Sequence, residues 1–355
     1  MTKTTVTSTN SLFLGLDVGD RKTHFCLINE DREVVRRGHF ATCQEGLAKA
    51  LSKLPRCQVT LEAGSQSPWM SSELREAGFG VLVADPRKAA ALVRGQRKTD
   101  RRDAESLARL LQGMPEMLGR VYHRGAQAQA DLATMRARDL MVRQRTALVL
   151  HVRGQCKLEG KRLPSSWSTA AFAKRARPEL PAILRSALTP LLDQLETLNL
   201  LIKTYEQTLT TIARERYPIT AKLQEIHGVG PLTALAFVLT VDDPKRFTHS
   251  RDVGAWLGLV PRIEASGDYD PRLPISKAGD AYLRRLLSQC AHYILSNSQQ
   301  DSDLQRFGRR LLDRGGAGAR QKAVTALARK LAVVMHRLWV SEAQYDPLYN
   351  ASRPS

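Results

Sequence analysis

The chain has 355 residues, 43% of them hydrophobic, which is enough for two or three domains with cores of their own. Its 54 Lys and Arg residues outnumber 35 Asp and Glu residues and give a net charge of +19, which favours a polyanionic partner, most simply nucleic acid. The five scattered cysteines form no Cys-x-x-Cys pair, so a zinc site and a disulfide framework are both disfavoured. The first residues lack an apolar signal core, and the longest uncharged apolar stretch, 231–241, is too short for a bilayer, which predicts a reduced, soluble, cytoplasmic protein.

The first part of the chain alternates predicted strands and helices, which is typical of an α/β sheet. Short apolar runs bounded by turn residues predict five strands, at 12–18, 23–29, 33–40, 57–62 and 79–84. Helical periodicity predicts helices between them, at 44–53, 67–77 and 104–111.

Four acidic residues in this region form the first candidate site. Asp17 and Glu62 end the first and fourth predicted strands, while Asp100 and Asp103 lie three residues apart at a helix start. If the fourth strand lies beside the first, these carboxylates converge, and a pair of Mg²⁺ ions held by them would clamp the two oxygens exchanged at a phosphodiester. Taken alone, Asp100 and Asp103 also suit a helix cap, and Glu62 suits an ion pair at a strand end.

A hydroxyl group in a loop is the second candidate. Ser266 lies in 261–279, a segment rich in Pro, Gly, Ser and Asp, and a serine activated by a base or a metal can attack a phosphodiester. From composition alone Ser276 is equally plausible, and a solvated loop serine or a helix cap is the simpler interpretation. Basic residues near the two candidate sites are predicted to hold a nucleic-acid backbone: Arg97, Lys98, Arg101, Arg102, Arg262, Lys277, Arg284 and Arg285.

The second half of the chain is predicted to be mainly helical. A long helix is predicted at 127–155 and another after Pro190, and the second carries an apolar seam with spacings of four and three. The two helices predict an antiparallel hairpin or a dimerising coiled coil, with the core of a helical bundle about equally plausible. The seam residues are Leu191, Leu195, Leu198, Ile202, Tyr205, Leu209 and Ile212. Gly228 and Gly230 between two helical runs resemble a helix-hairpin-helix, in which backbone N–H groups approach a DNA phosphate; a simple packing corner is the alternative.

These segments divide the chain into four predicted parts. They are an acid-bearing domain at 1–125, a coiled-coil region at 126–216, a domain carrying the serine loop at 217–345 and a frayed tail at 346–355. Further helices are predicted at 280–296 and 320–341.

Several of these motifs together resemble a known family. GLDVGDRKTHFCL, TLEAGS and KTDRRDAESLARLL are similar to the acid motifs of the Piv/MooV-type DEDD transposases of insertion sequences, whose first domain has a RuvC/RNase-H-like fold. EIHGVGPLTA, FTHSRDVGAWLGLVPR and SKAGDAYLRRLL are similar to the transposase domain of the same family. The resemblance extends over about residues 12–340.

The resemblance implies more than the residue spacing does. It implies a DNA recombinase guided by a structured bridge RNA, in which Asp17, Glu62, Asp100 and Asp103 bind Mg²⁺ and Ser266, followed by Gly267, forms a link to a DNA phosphate. It also implies donor and target DNA as substrates, a prokaryotic, nucleoid-associated location, and dimers or tetramers in which the serine of one subunit meets the acids of another.

Three other functions stay open at this stage. A hydrolytic RuvC-like Holliday-junction nuclease would use the same acids with water as the nucleophile, and a structural nucleic-acid-binding protein would use the basic helices alone. A sugar-kinase-like ATPase is disfavoured, because the sequence has no second Gly-rich phosphate loop.

Overall fold

The computed structural model describes residues 11–92, 100–264, 271, 273–296 and 299–350, with only the backbone of Asp100 and Arg101. Internal contacts divide the chain into two units, residues 1–123 and 124–355. The boundary lies two residues from the one predicted at 125. The further division of the second unit at 216 stays a prediction.

The first unit contains a mixed sheet whose described strands number five. They are β1 (Phe13–Val18), β2 (Lys22–Ile28), β3 (Val34–Ala41), β4 (Gln58–Glu62) and β5 (Gly80–Ala84). The strand order is β3-β2-β1-β4-β5, with β1 antiparallel to β2 and parallel to β4. The five predicted strands are therefore confirmed, as is the placing of the fourth beside the first.

Helices cover both faces of this sheet. They are α1 (Gln44–Leu51), α2 (Ser67–Glu76), α3 (Pro86–Leu92) and α4 (Asp100–Gly113), of which α3 was not predicted. Side chains alternate between the faces along each strand, so Leu14 and Leu16 enter one core with Leu47 of α1 and Met70 of α2. Cys26 on the opposite face packs against α4.

The second unit is helical over most of its described length. Its helices are α5 (Ala126–Leu158), α6 (Phe172–Ala176), α7 (Arg185–Arg216), α8 (Ile219–Leu223), α9 (Pro231–Val241), α10 (Ser250–Trp256), α11 (Ala281–Ser296), α12 (Asp303–Asp313) and α13 (Ala319–Ser341). Its main core joins α9, in which every residue from Thr233 to Val241 is buried, to α11 and α13.

The two long helices α5 and α7 form an antiparallel hairpin within one chain. Arg138 of α5 pairs with Glu206 of α7, and Arg145 of α5 donates to Asn199 of α7. A later residue of α5 thus contacts an earlier residue of α7, which shows that the helices are antiparallel. The seam residues Leu198 and Ile202 are buried. Pairing within the chain thus accounts for much of the apolar seam, and self-association through these helices stays a prediction.

The start of α7 differs from its prediction. The helix begins at Arg185 and contains Pro190, although the sequence predicts a start after that proline. Pro190 lies in the second turn, where its missing N–H removes a single backbone hydrogen bond, and Leu188 and Leu192 on either side are buried. Burial of these leucines offsets the lost bond.

Residues 346–350 differ from the predicted frayed tail. The carboxylate of Asp303 accepts hydrogen bonds from the backbone N and the Nδ2 of Asn350, both at 2.7 Å, and the Arg337 guanidinium lies 4.9 Å from the centre of the Tyr349 ring. The end of the described chain is therefore anchored to α12 and α13. Residues 351–355 lie outside the described residues.

Candidate active site

Asp17 and Glu62 lie at the same end of two neighbouring parallel strands. Leu16 of β1 is paired with Leu61 of β4, and each acid is the next residue along its strand. Residues two apart on a strand share a face, so Asp17 lies on the same face as Gly15, and Glu62 lies on the same face as Thr60. Gly15 and Thr60 are paired across the two strands. The two carboxylates thus occupy adjacent positions on one face of the sheet.

The first turn of α4 lies at this end of the sheet. A Cβ atom built on Gly15 would be 2.0 Å from the backbone oxygen of Ala104, and Leu107 farther along α4 packs near Phe13 at the other end of β1. The helix therefore runs antiparallel to β1, with its start towards Asp17. Asp103 precedes Ala104 directly, and the backbone of Asp100 lies one turn before it.

The donor chemistry of this region suits a divalent cation. Asp17 and Asp103 are half-buried and Glu62 is exposed, and carboxylate oxygens are ligands that such cations prefer. The Oγ1 of Thr60, on the same face, is buried without a hydrogen-bond partner among the described residues. Among the described side chains no three His, Cys, Asp or Glu residues form a group that could hold a metal; Asp100 is not among these side chains.

Two histidines extend the row of acids across the sheet, and sequence reasoning did not single them out. His24 of β2 is paired with Asp17, and His39 of β3 is paired with His24. The two imidazole rings lie 5.7 Å apart between centroids. The signal was available in the predicted hairpin, because a tight turn between β1 and β2 fixes which residue faces Asp17.

Part of the predicted site falls on residues that the structure does not describe. Ser266, Arg97 and Lys98 lie outside the described residues, and for Arg101 the backbone alone is described. Arg102 is exposed in the first turn of α4. The assignment of these residues stays a prediction.

The two ends of the predicted loop 261–279 form a short stem. Pro261 and Ile275 form an antiparallel bridge, the N–H of Arg262 donates to the Pro274 carbonyl at 3.0 Å, and that of Ser276 donates to the Val260 carbonyl at 2.8 Å. Lys277 follows with a left-handed φ of 54°. The backbone of the alternative serine, Ser276, is therefore part of the stem, and Ser266 belongs to the segment that the stem closes.

The predicted phosphate contacts Arg284 and Arg285 have partners inside the second unit. The Arg284 guanidinium donates to the backbone carbonyls of Leu257, at 3.1 Å, and Gly279, and burial lowers its pKa. Arg285 pairs with Asp139 of α5 at 2.5 Å. Both arginines thus connect α11 to its neighbours, and Arg285 remains partly exposed.

Gly228 and Gly230 have different surroundings in the turn between α8 and α9. Gly228 has a φ of 96°, and a Cβ atom there would be 2.7 Å from Cγ1 of Ile294. Gly230 has no atom within 4 Å of such a Cβ. Close packing therefore requires a glycine at position 228, whereas the surface at Gly230 is open.

The sheet and α4 belong to a DEDD-type transposase domain of an enzyme that acts on DNA, because residues 14–158 match the model of the DEDD transposase domain of the IS110 type. Residues 220–306 match the model described as "Transposase IS116/IS110/IS902 family".

Curated relatives agree with these matches. The chain is 31% identical to a probable family 20 transposase of Pseudomonas aeruginosa, over 88% of this chain and 94% of that protein. It is 30% identical to the transposase for insertion sequence element IS1111A of Coxiella burnetii, over 94% of this chain and 90% of that protein. It is also 29% identical to the transposase for insertion sequence element IS1328 of Yersinia enterocolitica, over 82% of this chain and 86% of that protein. The chain belongs to the IS116/IS110/IS902 family of insertion-sequence transposases.

No helix in the described parts of the chain has the length and apolar character needed to cross a membrane.

Proposed function

We propose that this transposase recombines DNA strands through a covalent serine–DNA link, with Ser266 as the nucleophile and Asp17, Glu62, Asp100 and Asp103 as the acidic cluster. The observation that carries the proposal is the adjacency of Asp17 and Glu62 on parallel strands, on the face where α4 begins. This is an arrangement in which carboxylates from three separate elements approach one reacting phosphate.

The chemical step is a transesterification. The Ser266 hydroxyl loses its proton as its Oγ forms a bond to phosphorus, and the bond from phosphorus to one deoxyribose oxygen breaks. The released sugar oxygen takes up a proton. Attack by a sugar hydroxyl of a second strand reverses the step, frees the serine and joins the new strands, so the energy of the phosphodiester is conserved.

The acidic cluster is proposed to hold Mg²⁺, as two ions. When bound, the ions neutralise the charge that develops on the phosphate oxygens in the transition state. Asp17 and Asp103, which are half-buried, and the exposed Glu62 supply oxygen ligands, and the basic segment around Arg102 binds the DNA backbone.

Trapping of a protein–DNA adduct tests the nucleophile. The full chain is incubated with DNA of its element ends and resolved on a denaturing gel, with Ser276→Ala as the matched control for Ser266→Ala. We expect an adduct with the wild type and with Ser276→Ala, and none with Ser266→Ala. An adduct that survives Ser266→Ala and disappears in Ser276→Ala would reassign the nucleophile.

The same gel tests the hydrolytic alternative. A nuclease that uses water would cut the DNA without a covalent intermediate, so cleavage products without an adduct would contradict the proposal. Asp17→Asn should abolish both adduct and cleavage while leaving DNA affinity within about twofold, because the carboxylate of Asp17 carries no positive charge with which to bind phosphate. Full activity of the wild type in excess chelator would exclude the proposed metal.

A structured guide RNA is the second proposed partner, supported by the net charge of +19 and by the likeness to bridge-RNA-guided recombinases. The test is purification of the full chain from cells that carry the element, followed by sequencing of co-purified RNA. We expect one enriched RNA encoded beside the reading frame, and recombination that depends on adding it back. Full recombination by RNase-treated protein would contradict this part of the proposal.

We also propose a homo-oligomer, a dimer or tetramer, with the serine of one subunit beside the acids of another. Mixing provides the test, because Asp17→Asn and Ser266→Ala subunits each lack a different half of the site. Shared sites predict partial recovery of adduct formation in mixed oligomers. Two inactive variants that stay inactive when mixed, although they co-purify, would show that each site lies within one subunit.

A further inference from the structure

A groove in the second unit borders the stem of the serine loop. Its volume is about 900 Å³. One wall is formed by Pro261, Leu273 and Pro274 of the stem, and the other by one face of α13. Phe307 of α12 also lines the groove.

The groove combines apolar surfaces with positive charges. Leu259 and Ile275 line it with apolar side chains, and Lys322, Arg329 and Lys330 line it from α13. These three cations have no ion-pair partner in the described part of the chain, and no described lining residue is acidic. A surface of this kind suits a ligand with both apolar faces and negative charges, as a nucleic-acid strand has.

An acidic residue that does not line the groove lies near one of the three cations. Asp303 lies near Lys330, and its carboxylate also accepts two hydrogen bonds from Asn350. Lys330 lies 4.4 Å from the centre of the Phe307 ring. Lys330 thus interacts with Asp303, whereas Lys322 and Arg329 have no acidic residue beside them in the described lining of the groove.

The spacing of the cations suits a strand that runs along α13. Lys322 and Arg329 are seven residues apart on one helix, which corresponds to about 10.5 Å at about 1.5 Å per residue. Both cations can therefore contact the backbone of one extended strand.

We infer that this groove binds a single DNA strand, with bases against Phe307 and the other apolar residues of the groove and phosphates along Lys322, Arg329 and Lys330. DNA is chosen as the ligand because of the proposed function, on which this inference rests. Beyond that function, the inference assigns a binding site along α13 and a single-stranded ligand.

Equilibrium binding tests the groove without requiring the chemical step. The full chain is titrated with a fluorescein-labelled oligodeoxythymidylate, and anisotropy is measured over a range of salt. Lys322→Gln should weaken binding about fourfold at roughly 0.15 M salt and lower the salt slope by about 0.7, the effect of one lost phosphate contact. The matched control is Lys203→Gln, which removes the same charge from an exposed position on α7 and should change neither quantity.

A second variant blocks the groove without changing charge. Ala326 lines the groove and is partly exposed, so Ala326→Trp fills the space where a base would lie. We expect a loss of affinity of at least about tenfold with an unchanged thermal unfolding midpoint. If this variant unfolds, Lys322→Gln, at an exposed position, still decides the question.

Each outcome has one meaning. Unchanged affinity in Lys322→Gln, or an equal loss in Lys203→Gln, would overturn the inference. A loss confined to an oligouridylate RNA would assign the groove to RNA and would also overturn it. If Lys322→Gln binds DNA as the wild type does while adducts still require Ser266, the groove inference is wrong and the proposed function stands. If Lys322→Gln weakens binding while adducts survive Ser266→Ala, the groove inference stands and the proposed nucleophile is wrong.

Discussion

Gly15 of β1 lies directly against the backbone of Ala104 in α4, because a Cβ atom on Gly15 would be 2.0 Å from the Ala104 oxygen and 2.5 Å from the Ala108 nitrogen. At Gly15 no side chain separates the strand that carries Asp17 from the helix that carries Asp103. The distance between the acids on the two elements therefore depends on the absence of one methyl group.

Gly15→Ala tests this contact. The added carbon forces α4 away from β1, so we expect a loss of about 1–3 kcal/mol in the free energy of unfolding and a larger fractional loss of DNA cleavage. Denaturant unfolding and the adduct gel are the measurements. Gly64→Ala is the control, since a Cβ there has no atom within 4 Å. Wild-type activity in Gly15→Ala would show that the acids do not depend on this packing.

Asp131→Ala should destabilise the base of the α5–α7 hairpin. Asp131 is buried, and its carboxylate accepts from the Tyr217 hydroxyl at 2.9 Å and pairs with Arg216. We expect a loss of about 2 kcal/mol, which is less than the roughly 3–5 kcal/mol for breaking a fully buried pair, because Arg216 is 47% exposed to water. Asp193→Ala, which breaks an exposed pair with Arg177, should have little effect. Equal losses in the two variants would contradict the assigned role of burial.

Gly228→Ala and Gly230→Ala should separate packing from DNA contact in the turn between α8 and α9. Gly228→Ala combines a left-handed φ of 96° with a clash against Ile294, so unfolding should become easier by at least about 1 kcal/mol. Gly230→Ala has room and should fold normally. If the turn binds a phosphate as a helix-hairpin-helix does, Gly230→Ala lowers DNA affinity in anisotropy measurements. Unchanged affinity would assign the turn to packing.

Arg284→Ala should act mainly on stability. Its guanidinium bonds two backbone carbonyls that precede α11, and these acceptors lose their partner in the variant. We expect a loss of about 1–3 kcal/mol, while the slope of DNA affinity against salt stays the same. The matched comparison is Arg262→Ala at the exposed loop stem, where a lowered slope with unchanged stability is expected if it contacts phosphate. A lowered slope in Arg284→Ala would support the original prediction instead.

Stability should fall in alkaline solution, partly through Tyr345. Burial, with Asp303 and Asp346 nearby, raises the pKa of Tyr345 from 10.0 to about 12. Between these values the phenol is deprotonated in the unfolded chain and protonated in the folded chain. The contribution of Tyr345 to the free energy of unfolding is therefore complete below pH 10 and is lost as the pH rises towards 12. The loss is at most about 2.7 kcal/mol. The free energy of unfolding, measured between pH 10 and 12, should therefore fall less steeply with pH in Tyr345→Phe than in the wild type. An unchanged slope would contradict the prediction.

The sequence by itself determined the elements of the first unit and the family. Alternation of apolar and polar residues depends on local geometry, so β1 to β5 were predicted within a residue or two, and the acid motifs around Asp17 and Glu62 identified a transposase. Local signals also predicted helices at both ends of the second unit. They failed at Pro190, because burial of its leucine neighbours is decided by residues distant in the chain.

Only the tertiary structure decided how these elements meet. The register between β1 and β4 makes Asp17 and Glu62 neighbours, and the close contact at Gly15 brings the start of α4 to their face. Three further features also depend on residues far apart in sequence. They are the histidines His24 and His39 beside Asp17, the hydrogen bonds from Arg284 to backbone carbonyls, and the groove along α13. Such contacts follow from the packing of complementary surfaces, which no local pattern of residues specifies.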